Sequence, residues 1–122
     1  MECTNMVIGQ NEEFTWDYSE YSDILNIHKA RMKTKGGAEI GDFTIDFDAE
    51  GRVIGVEIMH AAEFFEEIGI SKEQLRELKR ADFMVDKRNA EAALLFVRLY
   101  FNGNIRHSVP MPLSLSQKSL AA

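Results

Sequence analysis

The chain has 122 residues, of which 45% are hydrophobic, 28% charged and 10% aromatic, the size and make-up of one globular domain. Two prolines and eight glycines exclude a low-complexity chain, and no apolar run approaches the roughly 18 residues that span a bilayer. Fourteen basic against twenty acidic residues give a net charge of -6, and the single cysteine, Cys3, excludes an internal disulfide.

The charge is uneven. Residues 1–60 carry twelve acids and five bases, net -7, whereas residues 61–122 carry eight acids and nine bases, net +1. An acidic first half speaks against nucleic-acid binding, which needs a basic face to release counterions. It suits a basic protein partner or a metal ion. No signal-like leader is visible, and the lone cysteine points to a reducing, cytoplasmic setting.

Residues 1–13 read as a flexible N-terminus whose apolar spell, Met6 to Ile8, has the makings of an edge strand. Phe14, Trp16 and Tyr18 alternate with Thr15 and Asp17, and Leu25 and Ile27 alternate with Asn26 and His28. The period of two and the turn residues Ser19, Glu20, Ser22 and Asp23 between them predict a first hairpin. Lys29, Arg31, Lys33 and Lys35 then occupy every second position up to Gly36-Gly37. They read as an edge or loop kept soluble by lysines rather than as an anion site.

Phe43, Ile45 and Phe47 alternate with Thr44, Asp46 and Asp48, and Ile54, Val56 and Ile58 alternate with Gly55 and Glu57. The intervening Asp48-Ala49-Glu50-Gly51 has an aspartate that bonds its own backbone and a glycine that tolerates positive φ. This is a second hairpin. Past Met59 the period changes. Ala61, Phe64, Phe65 and Ile68 form one helical stripe, with Gly69 as C-terminal cap. Ser71 with Gln74 makes a capping box and Ile70 with Leu75 a hydrophobic staple, opening a second helix that runs to about Arg80.

Phe83 and Val85 open a return to strands, and Arg88-Asn89 is a turn. The nearly continuous apolar run from Ala92 to Phe101 reads as a strand because Asn102-Gly103 is a strong hairpin signal, followed by alternating Ile105, His107, Val109 and Met111. Pro110 and Pro112 lack amide donors and place that last strand at a sheet edge. Residues 113–122 read as a flexible C-terminal tail. The whole predicts a single α+β domain over 14–112. Its mostly antiparallel sheet has six to seven strands, with two short helices mid-chain covering one sheet face, in the order β-β-β-β-α-α-β-β-β.

The acids of the second hairpin are the main chemical candidates. Asp46, Asp48 and Glu50 precede Gly51, and Glu57 follows it by six residues, nearly the spacing of a calcium loop with carboxylates at positions 1, 3, 5 and 12. Glu50 is longer than the usual fifth ligand, and period-two flanks leave no entering helix, so paired strands with an acidic face are the stronger reading. The same acids offer a weaker alternative, a metal-dependent hydrolase, but no phosphate loop or nucleophile setting accompanies them. His28, His60 and His107 stand apart in sequence, and Cys3 has no activating neighbour, so no zinc site, catalytic residue or cofactor is assigned. Asp46, Asp48, Glu57 and His60 are the candidate partner surface.

Two stretches resemble a known family. Tyr18-Ser19-Glu20-Tyr21-Ser22-Asp23-Ile24-Leu25-Asn26-Ile27 is similar to a Y-D-x-x-x-D-x-L-Y-I opening, with Ser19 and Asn26 replacing the usual Asp and Tyr. Asp46-Phe47-Asp48-Ala49-Glu50-Gly51-Arg52-Val53-Ile54-Gly55-Val56-Glu57-Ile58-Met59-His60-Ala61 is similar to a D-x-D-x-x-G-x-V-V-G-I-E-I-L-x-A core. These are patterns of the short prokaryotic proteins grouped as domain of unknown function 2283. The resemblance covers about residues 14–66 and implies a small strand-rich unit closed by a helix, with no assigned activity. It also brings an association with toxin–antitoxin gene neighbourhoods, hence an antitoxin-like partner of a small basic protein as an alternative. The expectation from the residues is a non-enzymatic binding or assembly module. The apolar run 92–101 and the Phe and Met content suggest a homodimer.

Overall fold

The computed structural model describes residues 6–114, with nine strands and two short helices mid-chain. In chain order these are β1 (Met6–Gln10), β2 (Phe14–Ser19), β3 (Ile24–Lys29), β4 (Gly36–Ile40), β5 (Phe43–Phe47), β6 (Val53–Met59), α1 (Ala61–Glu66), α2 (Lys72–Arg76), β7 (Arg80–Lys87), β8 (Ala92–Phe101) and β9 (Ile105–Ser114). All strand pairs are antiparallel. The sequence expectation of six to seven strands in one sheet is corrected in two ways. Strands β1 and β4 add to the first sheet, giving six strands before the helices rather than four. The last three strands form a sheet of their own.

The larger sheet has the order β1-β2-β3-β6-β5-β4. It is two three-stranded meanders lying side by side, joined where β3 pairs with β6 from Ile24↔Met59 to His28↔Gly55. The lysine-rich stretch after β3 is the connection that carries the chain to the far edge. It turns at Arg31, whose φ is +64, and Lys35 donates its amide to Phe47 O at 2.7 Å. The four cations therefore do not share one extended face.

Alternation decides what each strand buries. Phe14, Trp16, Tyr18, Leu25, Ile27, Ile45, Phe47, Val56 and Ile58 point inward and are almost wholly removed from solvent. Trp16 needs more room than its neighbours, and Gly9 on the adjacent strand supplies it: a Cβ at Gly9 would sit 2.4 Å from the indole. On β1, Val7 and Gly9 are half-buried while Ile8 is exposed.

The three-stranded sheet, in the order β7-β8-β9, buries Ala81, Phe83, Ala93, Leu95, Val97, Leu99, Val109, Met111 and Leu113. Strand β7 lies against β2 and β3, and the Phe14 and Phe83 rings meet edge-on at 5.1 Å. The core therefore sits between two sheets, with Phe65, Ile70, Leu75 and Leu78 of the helical segment filling it. Pro110 and Pro112 do lie on an edge strand, facing Phe96 and Leu94 of β8. The β8–β9 connection is a three-residue 3-10 turn, Asn102–Asn104, with φ of +75 at Gly103 and +62 at Asn104, rather than a two-residue turn.

The helices are shorter than the apolar pattern suggests. α1 ends because Gly69, at φ +93, sends its own amide to Glu66 O and that of Ile70 to Phe65 O, a Schellman closure; Ile68 falls beyond it and is 46% exposed. α2 opens on the expected box: Gln74 N donates to Ser71 Oγ at 3.1 Å and Ser71 N to Gln74 Oε1 at 3.0 Å. It stops at Arg76, not Arg80, because Lys79 N already pairs with Tyr100 O at the head of the second sheet. Cys3 and residues 115–122 of the expected tail lie outside the described residues.

Candidate functional site

The second hairpin forms with Phe43↔Ile58, Thr44↔Glu57, Ile45↔Val56 and Asp46↔Gly55 in register, then a bulge that sets Phe47 opposite Val53. This geometry separates the candidate residues. Asp48 is 9% exposed and closes the turn. Its Oδ1 accepts the amides of Glu50 and Arg52, each at 2.9 Å, and its Oδ2 accepts Arg52 Nε at 2.9 Å. Gly51, at φ +82, completes the loop by donating to Asp48 O at 3.0 Å. The Arg52 amide, followed by its guanidinium and the Glu50 amide, holds the Asp48 carboxyl below its ordinary value. Glu50 lies on the exposed turn, paired with Arg52 at 3.2 Å.

Asp46 and Glu57 instead face outward on the larger sheet as diagonal neighbours, a relation that sets Cα atoms roughly 7–8 Å apart. His60 is at the opposite end of β6 from the turn. It takes a left-handed conformation, φ +54, and its Nδ1 lies 3.4 Å from Asp42 Oδ1. Of the four residues expected to form one surface, Asp46 and Glu57 come together; Asp48 belongs to the turn and His60 to the α1 junction. Among the described residues, no three His, Cys, Asp or Glu side chains are grouped to hold a metal ion.

His60 does not cap α1 with its side chain. The cap comes from Asp23, 39 positions away: Ala62 N donates to Asp23 Oδ1 at 2.9 Å, and Tyr18 Oη donates to the same oxygen at 2.7 Å. Ala61 N reaches Asp23 O at 3.1 Å. Burial and this bond push the Tyr18 phenol well above its ordinary 10.0. Several residues of the two quoted motifs thus build the fold: Tyr18 and Asp23 the cap, Asp48 and Gly51 the turn, Leu25, Ile27, Val53, Val56, Ile58 and Ala61 the core. Ile54 is likewise fully buried; Asp46, Gly55 and Glu57 lie on the outer face.

Pairing adds residues to that face that the separate strands did not reveal as neighbours. One row across the sheet runs Asp17–Asn26–Glu57–Thr44–Glu39, and the next runs Thr15–His28–Gly55–Asp46–Gly37. Asn26 Nδ2 donates to Asp17 Oδ1 at 3.3 Å. His28 leans across Gly55, fixed by Nε2 to Thr34 Oγ1 at 3.1 Å. A Cβ at Gly55 would meet His28 at 2.6 Å and Asp46 at 2.9 Å, so glycine is what lets the two side chains converge. The strand positions of this face hold four carboxylates, one histidine and no lysine or arginine. The core, the helices and the second sheet all lie on the other side.

A cleft of about 730 Å³ opens elsewhere, where the β5–β6 turn, the β2–β3 end and β7–β8 meet. Phe14, Val53, Phe83 and Val85 give it an apolar lining, and Lys29, Arg52, Lys87, Arg98, Glu12, Glu13 and Glu50 a charged one. Its lining contains no His, Cys, Ser or Thr.

No helix of the described residues is long and apolar enough to cross a membrane. No solved structure matches the chain. An uncharacterized protein of Methanocaldococcus jannaschii is 39% identical over 49 residues, which is 40% of this chain and 42% of that protein. The chain thus aligns with under half of the curated relative it matches. Residues 16–61, spanning β2 to β6 and the first residue of α1, match the family described as Protein of unknown function (DUF2283).

Proposed function

We propose that this protein is a non-enzymatic binding module whose open, acidic sheet face receives a basic protein partner in the cytoplasm. One observation carries the reading: Asp17, Glu57, Asp46 and Glu39 lie on a face that no other element covers. Asp46 and Glu57 have no side-chain hydrogen bond or ion pair among the described residues. Clustered carboxylates on half-buried sheet positions repel one another weakly, and a basic partner relieves that repulsion while steering its own approach. Complex formation is then sensitive to salt. The acids of the hairpin turn are spent on backbone amides and Arg52, which leaves the hydrolase alternative without a supporting observation.

The test is affinity capture from cells of the source organism, comparing the natural chain with the triple variant Asp17→Asn, Asp46→Asn, Glu57→Gln. The expected result is a basic protein retained by the natural chain, released as salt is raised, and lost with the triple variant. Recovery of this chain alone, or a retained protein indifferent to the variant, overturns the reading.

A further inference from the structure

We propose that a second copy of this chain covers the outer face of the three-stranded sheet, making a twofold dimer. A strand with one covered face alternates apolar and polar residues, whereas one covered on both faces reads as a continuous apolar run. Strand β8 is of the second kind. Leu95, Val97 and Leu99 point inward and are wholly buried, while Leu94, Phe96 and Tyr100 point outward and are half-buried. Across the strands, Phe96 lies between Met84, 45% exposed, and Pro110; Leu94 lies between Asp86 and Pro112. Among the described residues, Leu94 and Phe96 of this face pack against no part of the core, and only its Met84 and Arg98 line the cleft described above. The prolines of β9 remove amide donors from that edge, so extension of the sheet at β9 is disfavoured; pairing at an edge would leave the Phe96 patch open, whereas face-to-face packing covers it.

Charge selects the arrangement. Arg80, Tyr100 and Arg106 make one row at the head of the face, and Asp86 lies on the row at its other end. Arg80 and Arg98 share the buried carboxylate of Asp82, at 3.1 and 2.6 Å, so the head keeps a net positive charge. A twofold axis parallel to the strands would set one arginine row on the other. An axis perpendicular to the strands, lying between the two faces, reverses them. Arg80 then stands opposite Asp86 of the partner subunit, Arg98 opposite Phe96 of the partner subunit, and Leu94 opposite Tyr100 of the partner subunit. The pairs are an opposite-charge contact, a cation over an aromatic ring and an apolar contact. Three strands spaced about 4.8 Å apart make a narrow face, smaller than the roughly 800 Å² per partner of a standard interface. The dimer is therefore concentration-dependent.

Sedimentation equilibrium from low micromolar to several hundred micromolar tests this. The natural chain is expected to pass from monomer to dimer mass. Phe96→Asp is expected to remain monomeric, and Met84→Glu, at a more exposed position, serves if the first variant fails to fold by circular dichroism. Asp86→Arg is expected to raise the dissociation constant roughly tenfold or more. A monomer at every concentration, a dimer untouched by the face variants, or a dimer indifferent to Asp86→Arg overturns the proposal. The acidic-face triple variant is expected to dimerise normally, which separates this interface from the partner surface proposed above.

Discussion

Single residues carry the junction between sheet and helix. Asp23 Oδ1 accepts both the buried Tyr18 hydroxyl and the second amide of α1, so Asp23→Ala strands two donors at once. The expected cost is about 1–3 kcal/mol, read from urea denaturation. Tyr18→Phe removes one donor together with its need and is expected to cost less. Gly55→Ala adds a methyl where His28 and Asp46 already converge; overpacking of this kind costs about 1–3 kcal/mol, and a thermal melt checks it. The Asp23 cap was out of reach of sequence reasoning, because a capping side chain 39 positions away leaves no local signature. His60, the residue at the cap position, accepts no helix amide with its side chain.

At the scale of elements, local chemistry was readable wherever it closed within a few residues. The Ser71–Gln74 box, the Asp48–Gly51 turn and the Gly69 closure all appear where the sequence places them. Ser71→Ala is expected to lower stability by about 1 kcal/mol, measured by chemical denaturation, because Gln74 N loses its acceptor. Helix lengths were less legible. Ile68 continues the apolar stripe, but the chain has already turned at Gly69 and left it exposed. Strand β4 was missed because Gly36-Gly37-Ala38-Glu39-Ile40 has no alternation; it is a strand only because β5 offers it an edge.

Across the whole molecule, ion pairs bind distant segments and set the response to acid. The Glu20 carboxylate, in the β2–β3 turn, accepts Arg76 of α2 and lies 3.6 Å from Lys72. Arg76 holds Glu20 below its ordinary 4.5, as the Arg52 amide and guanidinium hold Asp48 below 3.8. Carboxyls depressed in the folded state contribute stability that is fully present above their ordinary values. That stability is lost as pH falls through the lowered folded values. The melting temperature is expected to fall steadily below about pH 4.5. Glu20→Gln is expected to flatten the upper part of that decline and Asp48→Asn the lower part. Unchanged pH profiles for both variants would remove the assignment.

The sequence by itself determined the antiparallel strand-rich class, the two hairpins, the mid-chain helices and the inward side of nearly every strand. Alternation, turn chemistry and caps act over a few residues and are written in the order of the chain. Only the tertiary structure decided that β3 pairs with β6, that the last three strands stand as a second sheet, and that Asp17, Asp46 and Glu57 share a face while Asp48 does not. Those outcomes depend on which apolar surfaces meet across long separations, and several pairings of the same strands would satisfy the local patterns equally well.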